Sequence, residues 1–87
     1  MAPNVIAVTP IHDFLLDLEY ASGEHRRFDM KPLLQMKPWN RIASPAIFGR
    51  ARVDYGTVVW PGEIDVAPET LYIDSVPIGS AREAAAA

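Results

Sequence analysis

The sequence predicts a small α+β domain, an antiparallel sheet carrying short helices, and three observations lead there. Apolar residues alternate with polar ones from Asp13 to Tyr20, and a second β-prone run resumes after Gly23. Another pair of such runs flanks Asp54-Tyr55-Gly56. Pro32, Pro38, Pro45 and Pro68 each sit where a helix starts, a position their fixed φ and missing N–H suit, and fit a helix interior badly. The predicted architecture is a small antiparallel sheet from two β-hairpins plus an N-terminal strand, with short helices including one near residues 68–76.

The first strand is read as Val5 to Thr9, an uncharged run ended by Pro10 and expected to be buried on both faces. In the next, from Asp13, the side chains of Phe14, Leu16, Leu18 and Tyr20 point one way and those of Asp13, Asp17 and Glu19 the other. Ala21-Ser22-Gly23 then closes a three-residue hairpin loop, Gly23 taking the left-handed position. That loop sets Leu16 opposite Phe28, Asp17 opposite Arg27 and Glu19 opposite His25, whereas a two-residue loop would set Asp17 against Phe28.

Short turns follow, Pro32 to Gln35 and Pro38 to Ala43. Ser44-Pro45 has the form of a helix N-cap with proline at the first helical position, and Gly49 closes that turn. In the second hairpin two rules conflict. Apolar pairing favours a two-residue loop that matches Val53 with Val58. Turn sterics favour a three-residue loop, Asp54-Tyr55-Gly56, because the shorter form demands positive φ of Tyr55. The three-residue loop is the expectation, with Arg50 opposite Trp60.

The chain is organised around Val58 to Tyr72. Val58 to Trp60 is β-prone, Pro61-Gly62 breaks the strand, Asp65 is placed to bond the loop backbone, and Pro68-Glu69 opens a helix. That helix is expected to run to Val76 before Pro77, with Leu71, Tyr72, Ser75 and Val76 on one side. Residues 1–79 form one domain; 80–87 are expected to fray.

Composition excludes several classes. At 87 residues with 49% hydrophobic and 22% charged, the chain suits one modest folded core. A net charge of −3 argues against a free-standing nucleic-acid binder. Without cysteine there are neither disulfides nor thiolate metal sites. Met1-Ala2-Pro3-Asn4 lacks the basic start of a signal peptide, and no apolar run approaches a membrane span, so a cytoplasmic protein is expected.

Tyr20-Ala21-Ser22-Gly23-Glu24 followed by Phe28-Asp29-Met30, then Phe48, Val53-Asp54, Trp60-Pro61-Gly62, Asp65, Pro68-Glu69 and Leu71-Tyr72, resembles a bacterial family, the small domain of unknown function numbered 2442. The resemblance covers most of residues 5 to 76 in order and spacing. It implies a small α+β domain of unassigned activity, with Gly23, Trp60, Pro61, Asp65, Pro68, Leu71 and Tyr72 as its structural signature. Some relatives carry the domain in front of a helix-turn-helix; others sit beside a second small protein in an arrangement resembling a toxin–antitoxin pair. With the sequence ending at Ala87, no such DNA-binding extension is expected.

Candidate chemistry is sparse. Glu63, Asp65 and Glu69 lie close in sequence and would suit a hard cation or acid–base work, but helix-start and turn chemistry already explain Asp65 and Glu69. His12 and His25 lack ligand spacing, and no phosphate loop, nucleophile elbow or zinc signature occurs. Neither an enzyme nor a cofactor is expected. Arg26, Arg27, Arg50 and Arg52, with Trp39 nearby, are candidate partner-docking residues; the competing reading pairs these arginines with carboxylates across the sheet. The leading expectation is a non-catalytic protein-interaction module, antitoxin-like or regulatory, forming a homodimer without its partner. The alternatives are a nucleic-acid-associated domain using those arginines and a small enzyme with carboxylates at Glu63 and Asp65.

Overall fold

The computed structural model describes residues 2–79, so the tail at 80–87 lies outside the described residues. In chain order the elements are β1 (Val5–Ile11), β2 (Leu15–Tyr20), β3 (His25–Asp29), α1 (Pro45–Phe48), β4 (Arg52–Asp54), β5 (Thr57–Trp60), β6 (Ile64–Asp65), α2 (Pro68–Ile73) and β7 (Val76–Pro77). The α+β class holds, and the two hairpins enter separate antiparallel sheets, one ordered β1-β2-β3-β7 and the other β4-β5-β6.

The first hairpin has the expected register, Leu16 opposite Phe28, Asp17 opposite Arg27 and Glu19 opposite His25, with Gly23 at φ +93. Leu16, Leu18 and Tyr20 turn into the core, while Asp17 faces the other way and pairs with Arg27. β2 starts two residues later than the alternation implies. Asp13 and Phe14 both take positive φ, 59° and 58°, in the tight turn His12–Phe14 that folds β2 back onto β1.

β1 differs from its expected form. It runs through Pro10 to Ile11, and of its seven residues only Val5 is buried. It is the outer strand of its sheet, where a proline lacking an N–H is tolerated. The register slips between Val5 and Ala7, and the intervening Ile6 is 56% exposed.

The second hairpin overturns the three-residue loop. Val53 pairs with Val58 and Asp54 with Thr57, so the loop is Tyr55-Gly56, with φ of 52° and 72°. Apolar pairing outweighed turn sterics: the shorter loop keeps Val58 and Trp60 on the inner face, and Asp54 Oδ1 accepts a hydrogen bond from the Tyr55 N–H at 3.0 Å. The Val5 N–H donates to the Gly56 carbonyl at 3.1 Å, joining the two sheets at this turn.

α2 also departs from expectation, ending at Ile73 instead of reaching Val76. The Ser75 hydroxyl donates to the Tyr72 carbonyl at 2.6 Å, and the Arg26 guanidinium donates to the Ser75 carbonyl at 2.8 Å. The chain leaves the helix there, and Val76–Pro77 pairs with Arg26 and Arg27 as β7. Ser44 caps α1 as its sequence implies, accepting from the Ile47 N–H at 3.4 Å.

One buried cluster draws on both sheets and both helices: Leu16, Tyr20, Phe28, Phe48, Trp60 and Leu71 all belong to it. Trp60 is 1% exposed, its indole N–H donates to the Phe48 carbonyl at 3.0 Å, and its ring stacks on Phe48. Burying so large an aromatic with its polar atom satisfied anchors the end of β5 in the core.

Candidate interaction surface

Side chains alternate across a strand, so Val58, Trp60 and Ile64 on the core side leave Thr57, Val59 and Asp65 on the other. Thr57, which donates to the Val66 carbonyl at 2.6 Å, and Val59 are buried there too, and Asp65 is exposed. Arg52 pairs with Val59, and Val59 with Asp65, which sets these three in one row. That row lies in a cleft of about 520 Å3, to which Asp54, Tyr55, Pro61 and Glu63 also contribute. The volume falls within the range of roughly 300–1,000 Å3 typical of binding pockets.

Tyr55 is 87% exposed and is held by the two-residue turn. Glu63, in the tight Pro61-Gly62-Glu63 turn between β5 and β6, is the other non-glycine residue of this cleft at positive φ, 61°. Arg52 Nη2 lies 3.8 Å from Asp54 Oδ2, both side chains being substantially exposed. No ion pair occupies Glu63 or Asp65 among the described residues.

Of the candidate docking residues, only Arg52 lines this cleft, together with the signature residues Trp60, Pro61 and Asp65. Trp39 is half-buried, and its indole N–H donates to the Asp65 carbonyl at 2.8 Å, covering the edge of β6. Arg50 is exposed just after α1. Arg26 and Arg27 occupy opposite faces of β3 and both are engaged internally. Arg27 donates to the two Asp17 oxygens at 2.6 and 3.0 Å, which raises its pKa further. Arg26 donates to the Ser75 hydroxyl at 2.6 Å and to Glu24 at 3.2 Å, with its guanidinium 4.4 Å from the Tyr72 ring centroid.

Around Arg26 the two halves of the signature meet. The Tyr72 hydroxyl donates to Glu24, and the Tyr72 ring meets Tyr20 edge-on at 5.2 Å. Tyr20 is 1% exposed, and burial pushes its hydroxyl up to about 12. Gly23 supplies the left-handed turn beside Glu24, Pro68 opens α2, and Leu71 is fully buried beneath it.

His12 lies in the turn before β2 and His25 at the start of β3, at opposite ends of the first sheet. Among the described residues no group of three His, Cys, Asp or Glu is arranged to hold a metal ion, and no helix is long and apolar enough to cross a membrane. Sequence reasoning passed over Tyr55; its signal was the Tyr-Gly pair between matched Val53 and Val58, which only a two-residue turn satisfies.

The sequence profile of the family described as "Protein of unknown function (DUF2442)" matches residues 5–76. The chain belongs to the DUF2442 family. The match spans both sheets and ends at Val76 on the DUF2442 edge strand β7. No curated protein matches the chain. No solved structure matches it either.

Proposed function

We propose that this DUF2442 chain is a non-catalytic protein-interaction module, antitoxin-like or regulatory toward a second small bacterial protein, acting in the cytoplasm. The observation that carries the reading is Tyr55, an aromatic 87% exposed on a short turn beside the exposed Arg52 at the cleft of the second sheet. Tyrosine and arginine are the side chains that dominate binding energy at protein interfaces, and a short turn limits the entropy lost on docking. The nucleic-acid reading has less support, because Arg26 and Arg27 are spent on internal partners on opposite faces of β3. The enzyme reading at Glu63 and Asp65 has less support too, because neither His12, in the turn before β2, nor His25, on β3, lines their cleft.

The test is affinity capture of the tagged full chain from its source cell, with the bound species identified by mass spectrometry. One protein partner is expected with the unaltered chain and much less of it with Tyr55→Ala. A chain recovered alone at every salt concentration overturns the reading.

A second association rests on a separate observation: β1 is an uncharged outer strand with Ile6 56% exposed. An open strand edge is a template for pairing with another chain. In the absence of the partner, the chain forms a homodimer through this strand.

A further inference from the structure

The cleft of the second sheet has a charge pattern that specifies more than the presence of a partner. Resting on the interaction reading above, we infer that it receives a basic segment of the partner protein, an arginine or lysine side chain lying along its apolar floor. Its lining has one cation, Arg52, against three carboxylates, Asp54, Glu63 and Asp65. Arg52 faces Asp54 at 3.8 Å, which leaves Glu63 and Asp65 as the uncompensated pair among the described residues. A surface of that balance repels phosphates and acidic peptides and attracts cations.

The apolar parts fit the same occupant. Val59 and Pro61 line the cleft between the charged residues, and a lysine or arginine has a long apolar stem ending in a charged head. With the stem against Val59 and Pro61, the head reaches the carboxylates of Glu63 and Asp65. The exposed Tyr55 ring, in the turn at the other end of β5, lines the same cleft and offers its face to a neighbouring residue of the segment. Arginine gains more than lysine here, since its planar fork pairs with a carboxylate through two parallel hydrogen bonds. A neutral apolar side chain would leave both carboxylates facing a dry contact, a costly arrangement.

The test is selection of a random twelve-residue display library against the immobilised full chain at low ionic strength. Enriched peptides are expected to carry arginine or lysine next to an apolar residue, and to bind the Glu63→Gln/Asp65→Asn double variant at least tenfold more weakly. Their affinity should also fall as salt is raised, because exposed charges are screened. Both replaced positions are exposed, and an unchanged amide NMR dispersion verifies that the variant is folded. Enriched peptides that are acidic or purely apolar, or that bind the double variant undiminished, overturn the inference. If such peptides still depend on Tyr55, the interaction surface stands and only the basic occupant fails. A selection yielding nothing that Tyr55→Ala weakens removes the surface itself, and the inference with it.

Discussion

The Tyr72 hydroxyl lies 2.8 Å from each carboxylate oxygen of Glu24, so a residue of α2 donates to the tip of the first hairpin across 48 positions of sequence. The Tyr72 hydroxyl, followed by the Ser22 hydroxyl and then Arg26, holds the Glu24 carboxyl below its ordinary value of 4.5. A carboxyl depressed in the folded state adds stability above its unfolded value and loses it as pH falls through the folded one. Stability is therefore expected to decline below pH 4.5, the ordinary value, with Glu24 contributing. Tyr72→Phe should raise the Glu24 midpoint toward that value, read by carbon-13 NMR of the carboxyl. An unmoved midpoint would show that the hydrogen bond is not formed in solution.

The two tryptophans predict unequal losses. Trp60 is enclosed by the core and stacks on Phe48, whereas Trp39 is half-buried with its indole on the Asp65 carbonyl. Trp60→Ala should cost roughly 3–5 kcal/mol, the usual range for truncating a buried aromatic. Trp39→Ala should cost clearly less. Urea denaturation of both variants decides the matter, and equal shifts in midpoint would misplace the core.

The same contrast marks what the sequence made legible. The first hairpin was readable because Leu16, Phe28, Asp17 and Arg27 each prefer the partner that one loop length supplies. The second hairpin was not, because Tyr55 argued locally against the turn that Val53 and Val58 required through their shared core. β6 and β7 have two residues each, too few for any periodicity, and depend on partners distant in sequence: Val59 and Trp60 for β6, Arg26 and Arg27 for β7. The division into two sheets was hidden for the same reason. Of the candidate surface, Arg52, Trp60, Pro61, Glu63 and Asp65 were named from sequence, but their convergence with Tyr55 follows from the register of β4, β5 and β6.

Tyr55 should be replaceable with a gain in stability. Both centre positions of its turn have positive φ, where Asn-Gly is the favoured pair and a tyrosine is strained. Tyr55→Asn is expected to raise stability by about 1 kcal/mol, the scale of the left-handed penalty, since little packing is lost at an 87% exposed side chain. Thermal unfolding would report the rise. The same variant should capture less partner, separating a display role for Tyr55 from a folding role. A fall in stability would mean that Tyr55 packs in a way its exposure conceals.

The strand β1 makes the last prediction. Edge strands are kept from pairing by charges, prolines and bulges, and β1 has the last two but not the first. Pro10 cannot donate a hydrogen bond, the slipped register at Ile6 interrupts the ladder, and Val5 already donates to the Gly56 carbonyl of the β4–β5 turn, so the regular edge narrows to Ala7, Val8 and Thr9. Ile6 stands at its border with 56% of its surface exposed. A second copy approaching antiparallel along Ala7 to Thr9 would bury Ile6 and complete the unpaired backbone groups at once. Light scattering after size exclusion at micromolar concentration should thus give about twice the chain mass for the unaltered protein. Ile6→Lys, which adds a charge without touching the core, should give the single mass with an unchanged melting profile at high dilution. A monomer from the unaltered chain would show that proline and bulge suffice to close this edge, and a dimer that survives Ile6→Lys would move the contact to another face.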